Sequence, residues 1–172
     1  EFVNSLEEFE QNSSDKIGFL TYHDEPPSLL ERRKPALDDL VSISLKKMDH
    51  KDRPFFMLVE GSQIDWGGHD RNLNYVISEF KEFNKSIQTV LDFAKTDGNT
   101  LVVVTADHET GGLALLKGSL KNSKVKGRFA TNHHSATMVP VFSYGPYSEL
   151  FAGIYENTAI FEKMNQALLE KK

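Results

Sequence analysis

Two short apolar runs in this chain stop in the same way, and that repetition constrains the fold more than any other feature. Residues 55–59, Phe-Phe-Met-Leu-Val, stop at Glu60, with Asp65 and His69 close behind; residues 101–104, Leu-Val-Val-Val, lead through Thr105 and Ala106 to Asp107 and His108. An apolar run of this length bounded by polar residues reads as a strand covered on both faces, as in parallel sheets flanked by helices. Between the two, Leu73, Val76, Ile77, Phe80, Phe83, Ile87, Val90, Leu91 and Ala94 recur at helical spacing over residues 72–95 and are expected to form a core-facing stripe. Gly98 then stands where a left-handed cap closes a helix. Strand, helix and strand with short joints predict a right-handed crossover. The expected fold class is α/β, a layered α/β sandwich with a mostly parallel sheet whose ligands gather at the carboxyl ends of its strands.

The remaining segments fit around that unit. Residues 16–20 read as a flanking strand and residues 11–15 as a loop. Pro35 opens a helix bearing Leu37, Leu40, Val41, Leu45 and Met48, which the charged residues 49–53 close. Residues 112–116 read as a short strand, and the basic residues 117–128, interleaved with Gly, Ser and Asn, as a solvated loop. Residues 139–144 form a last strand stopped by Gly145-Pro146, and Asn157 or Thr158 caps a terminal helix. His23 and His50 lie in polar, turn-like surroundings and read as solvated. At 172 residues, with 39% hydrophobic and 26% charged, residues 1–172 are expected to form a single domain.

Composition removes several classes of function. A formal net charge of -5 with no basic stripe gives no nucleic-acid-binding or membrane-binding signal. No apolar run reaches the eighteen or so residues of a membrane span. The absence of cysteine excludes disulfides, thiol catalysis and cysteine-based zinc sites, so any metal must be held by His, Asp and Glu. The first residues show neither an initiator Met nor a signal-peptide pattern, and the chain is expected to begin inside a longer protein.

The acids and histidines at the strand ends carry the chemistry. Asp65 and His69 are four apart, so one helical turn or a tight loop brings an oxygen and an imidazole nitrogen to one side, Gly67 and Gly68 weakening a long helix there; with one of His133 and His134 they give three donors and an open position, the count of a catalytic zinc. Asp107 and His108 make half of a second site, and Glu60 suits a hard cation such as magnesium. Paired metals of this kind clamp in-line displacement at phosphorus.

At these residues the sequence resembles the alkaline phosphatase family. The likeness is carried by Val59-Glu-Gly-Ser-Gln-Ile-Asp65 with His69, by Val104-Thr-Ala-Asp-His-Glu-Thr-Gly-Gly112, and by His134-Ser-Ala-Thr-Met-Val-Pro-Val-Phe-Ser-Tyr-Gly-Pro146, and it extends over about residues 16–165. It implies that Asp65, His69 and His134 bind a first zinc, that Asp107 and His108 bind a second, and that Glu60 binds magnesium, giving two zinc ions and one magnesium per active site. His134 rather than His133 keeps the family's spacing to Val139 and Gly145. In that family the first zinc activates the water that cleaves a phosphoserine intermediate and the second activates the serine. Trp66 occupies a position that varies in the family, and Ser135-Ala136 replaces its more common Thr-Gly.

The family's nucleophile lies in an Asp-Ser-Ala turn, and no such triplet occurs here. The Asp that completes the second zinc site, further magnesium ligands and the phosphate-binding Arg are missing as well. The chain is therefore expected to be the C-terminal part of an alkaline-phosphatase-like catalytic domain, holding metal ligands and no catalytic nucleophile, inactive by itself, and taken from a parent that hydrolyses phosphate monoesters. The resemblance further implies a periplasmic or secreted parent, commonly a homodimer. Two other readings are a phosphodiesterase, sulfatase or phosphomutase of the same superfamily, separated from a monoesterase by the Val-Glu-Gly-Ser segment, and a catalytically inert fragment.

Overall fold

The structure, a computed structural model, describes residues 1–14, 16–50 and 53–169. Asp15 of the expected 11–15 loop and Lys51 and Asp52 of the expected 49–53 connection lie outside the described residues. The chain divides into two compact units, one of residues 1–67 and 72–86 and the other of residues 68–71 and 87 onward.

In the first unit β1 (Phe2–Val3) pairs in parallel with β2 (Gly18–Phe19), and α1 (Leu6–Gln11) lies between them in sequence. The polar composition of this region conceals that helix. Its signature is the Ser5-to-Glu8 spacing: Glu8 N–H, an otherwise unpaired helix-end donor, donates to Ser5 Oγ at 3.1 Å, while the Glu8 carboxylate accepts from the N–H of Asn4, just before the cap, at 2.9 Å. Helix α2 (Leu37–Met48) forms where expected and buries Val41 and Leu45 of the expected stripe together with Ile43, which lay off it, while Leu37, Leu40 and Met48 are half-buried. Asp38 and Asp39 sit in its first turn and Lys46 and Lys47 in its last, each complementing the helix dipole.

Residues 54–60 correct the sequence reading. They belong to none of the ladders found among the described residues, and burial alternates along them: Phe55, Met57 and Val59 are half-buried, whereas Phe56 is 62% and Leu58 84% exposed. The run thus has a period of two, with one face covered and the other open, where a strand covered on both faces was expected.

Helix α4 (Leu73–Asp97) confirms the long helix and rotates its buried stripe. Its most buried positions within the first unit are Tyr75, Glu79, Glu82 and Ser86, while Phe80 is 59% exposed. Polar groups can occupy that stripe because Arg33 meets them: its Nη2 lies 2.6 Å from Glu79 Oε2 and also hydrogen-bonds Glu82. Glu79 Oε1 accepts from Leu29 N–H at 2.7 Å, and the Tyr75 hydroxyl donates to Gln63, whose amide donates to Pro26 O at 2.9 Å. Burial alone would lower the Arg33 pKa; hydrogen bonds to Glu79 and Glu82 and the charge of both outweigh it and hold the guanidinium above its ordinary value.

In the second unit α4 ends at Gly98, with φ of 74° and its N–H donating to Ala94 O at 2.9 Å. Strand β3 (Val102–Val104) follows, and the remaining ladders are antiparallel: β4 (Glu109–Thr110) with β7 (His134–Ser135), β5 (Ala114–Ser119) with β6 (Lys124–Arg128), and β3 with β8 (Phe142–Tyr144). Residues 117–128 are therefore largely a hairpin, contrary to the expected loop; lysines on an exposed two-stranded ribbon have the composition of a solvated loop. A short 3-10 turn, Ser148–Phe151, buries Phe151, and α5 (Ala159–Leu169) closes the unit.

Mixed helices and strands make this an α/β fold. The ladders formed by the described residues are antiparallel in three cases out of four, so they do not by themselves display the expected mostly parallel pairing. Among the described residues no helix is long and apolar enough to cross a membrane.

Candidate metal centre

Helix α3 (Gln63–His69) carries Asp65 in its first turn and His69 in its last, so the 3.6-residue repeat sets a carboxylate and an imidazole one above the other. Gly68 lets the end of this helix approach β4: a Cβ there would lie 2.9 Å from both the carbonyl oxygen and the side-chain methyl of Thr110.

Hydrogen bonding defines how His69 presents itself. Its Nδ1 lies 2.8 Å from the backbone oxygen of Asn132. A carbonyl only accepts, so Nδ1 carries the hydrogen and, in the neutral ring, Nε2 keeps its lone pair. That Nε2 is 3.1 Å from Nε2 of His134. Two nitrogens on a tetrahedral zinc at bonds of 2.0–2.1 Å stand about 3.3 Å apart, so the spacing is close to what a shared ion requires. Asp65, His69 and His134 each offer one ligand atom, all within 4.8 Å of one another. One oxygen and two nitrogens is a donor set that fits zinc, and an outer partner that fixes a ring tautomer, as Asn132 does for His69, is the usual companion of a metal-binding histidine. Of the two adjacent histidines, His134 and not His133 belongs to this group.

The other expected ligands are arranged differently. His108 Nε2 lies 3.3 Å from Asp107 Oδ2, and its Nδ1 lies 3.2 Å from the Thr110 hydroxyl, so both ring nitrogens are engaged within residues 107–110. Its ring stacks on that of His134 with centroids 3.6 Å apart and planes 21° from parallel. The Asp107 side chain is 84% exposed. Asp107 and His108 thus pair with each other beside the histidine cluster and add no donor to it. Glu60 is exposed and lines a cavity of the first unit together with Arg33, Glu79 and Glu82.

Sequence reasoning passed over two features. Arg33 had no local signal, because its partners Glu79 and Glu82 are 46 and 49 residues away. Glu109 was read only as part of a motif, yet it bonds across β4 and β7 to Ser135 beside His134.

A family model described as alkaline phosphatase matches residues 27–128. Alkaline phosphatase 3 of Bacillus subtilis is 29% identical to the chain over 214 residues, covering 83% of it and 46% of that protein. The alkaline phosphatase of the Antarctic bacterium TAB5 superposes with a TM-score of 0.87 at 40% identity, over 99% of this chain and 53% of that one. A variant of the same TAB5 enzyme, solved with magnesium bound in its M3 site, superposes with a TM-score of 0.86 at 39% identity and the same coverage. The chain thus spans about half the length of these relatives.

Proposed function

Because this chain belongs to the alkaline phosphatase family, we propose that it is the metal-holding C-terminal portion of a phosphoric monoester hydrolase. The observation that carries this reading is the convergence of His69 Nε2 and His134 Nε2 at 3.1 Å beside the Asp65 carboxylate, with the His69 tautomer fixed by the Asn132 carbonyl. In this reading Asp65, His69 and His134 hold the first zinc, Asp107 and His108 contribute to the second, and Glu60 serves magnesium. Bound there, these cations supply electrostatic stabilisation to a phosphoryl group and acidify an oxygen nucleophile. The chain's own part is to present lone pairs and negative charge in a fixed arrangement. Asp65 offsets one unit of metal charge, and the neutral histidines leave the site net positive toward a phosphate monoester.

The parent protein, in this reading, uses a serine nucleophile and a phosphoserine intermediate, assembles as a homodimer and works in the periplasm or outside the cell. The 172 residues hold no Asp-Ser-Ala triplet. Without an activated nucleophile and a cationic clamp on the transferring group, the chain by itself does not turn over phosphate monoesters at an enzymatic rate. Purified chain assayed with a chromogenic phosphate monoester in zinc and magnesium is expected to be inactive and to gain activity when the N-terminal segment of the parent is added. Robust turnover before that addition, lost in Asp107→Ala, would sink this reading.

A further inference from the structure

We propose that Glu109 is a positioning residue that sets the register presenting His134, rather than His133, to the metal centre; this rests on the zinc reading of Asp65, His69 and His134. Glu109 follows Asp107 and His108 directly, but its carboxylate turns away from ligation. Oε1 accepts from Gly112 N–H at 2.8 Å and from Leu113 N–H at 3.3 Å, and Oε2 accepts from the Ser135 hydroxyl. Both oxygens are committed, and the residue is half-buried. Hydrogen bonds to an ionised carboxylate are roughly twice as strong as neutral ones, so this pair can hold two short segments together.

The geometry of the ladder gives that hold a purpose. In β4 and β7 Glu109 stands opposite Ser135 and Thr110 opposite His134. Side chains alternate between the faces of a strand, so Glu109 and Ser135 share one face while Thr110 and His134 share the other. On that second face Thr110 meets His108, and the His108 ring stacks on His134. The ladder proper is only two residues long on each side, extended by the Gly111 N–H bond to His133 O at 3.0 Å. So short a pairing specifies its register weakly, and a slip of one residue would exchange the faces and put His133 where His134 stands. The Glu109–Ser135 bond on the opposite face resists that slip.

The test titrates cobalt(II) into the purified chain, following its visible absorption, with circular dichroism melts as a folding control. Glu109→Ala is expected to weaken cobalt binding about 10–100-fold, as for other outer partners of metal ligands, and to change the absorption spectrum. Glu109→Gln should keep most of the affinity, since its amide can accept from Gly112 N–H and donate to Ser135. Ser135→Ala should weaken binding too, and the double variant should be no worse than the weaker single one, because both remove the same bond. In the parent chain His134→Ala should cost far more affinity than His133→Ala; in the Glu109→Ala background that gap should shrink. Unchanged affinity and spectrum in Glu109→Ala, additive effects of the two single variants, or an undiminished preference for His134 would each overturn the proposal. If Glu109→Ala fails to fold, Ser135→Ala and its effect on the same histidine preference decide the matter. A wild-type chain that takes up no cobalt would overturn the zinc reading along with this one, whereas wild-type uptake with indifferent variants removes the positioning role alone.

Discussion

Two charge-rich regions of this molecule solve opposite problems. Around Arg33 the chain buries two carboxylates, Glu79 and Glu82, and provides their counter-charge from within, leaving Glu82 Oε1 as the one buried side-chain polar atom without a partner among the described residues. Around His69 and His134 it gathers an oxygen and two nitrogens, with Asp65, on partly open surface. A buried carboxylate without compensation costs several kcal/mol, so the first cluster must be neutralised by the fold at all times. Imidazoles and a carboxylate near water carry no such penalty, so the second can wait for an ion. The difference separates an arrangement that stabilises the chain from one that equips it.

The first region should yield the largest effect. Arg33→Ala leaves Glu79 and Glu82 buried without their cation and is expected to lower stability by about 3–5 kcal/mol, read from urea unfolding. If that variant unfolds at the urea concentration of the wild type, the two clusters are not different in kind.

The second region should respond to metal and not to the charge network. Zinc at a free concentration a hundredfold above its Kd is expected to raise the unfolding free energy by about 2.7 kcal/mol. Asp65→Ala and His134→Ala should each abolish most of that gain while leaving the metal-free melting curve within about 0.5 kcal/mol of the wild type, as substitutions at exposed or half-exposed positions usually do. A metal-free chain strongly destabilised by either change would show these donors to be structural.

The smallest effect sharpens where the first region begins. Asn72 Oδ1 accepts from the N–H groups of Asn74 and Tyr75 at 3.1 and 3.2 Å and so caps α4, the helix carrying Glu79 and Glu82. Asn72→Ala is expected to cost about 1 kcal/mol in urea unfolding without altering zinc affinity. A change in zinc affinity at this position would mean that the cap also orders the preceding residues of α3.

The same contrast explains which features are legible in the sequence. Asp65 and His69 are four apart on one helix, so their alignment follows from periodicity alone, and α2 and α4 follow from their apolar spacing. His134 joins them only through a ladder of low sequence signal, and its choice over His133 rested on resemblance. The Arg33 cluster was invisible because ion pairs across 46 and 49 residues leave no local pattern. It also rotated the buried stripe of α4, since a cation placed opposite two glutamates makes their burial tolerable and turns Phe80 outward. Residues 55–59 misled in the other direction: apolar character announced a strand but not how many of its faces would be covered.

That half-covered run has a consequence for anyone handling the protein. Residues 55–59 contain neither a proline nor a charge, and Phe56 and Leu58 are exposed on a run that joins no ladder among the described residues. Such a segment is a template for another copy of itself, the arrangement from which cross-β stacks grow. Loss of sample to self-association is therefore expected to rise with concentration, as a second-order encounter between molecules does, and a dilution series followed by light scattering reads it.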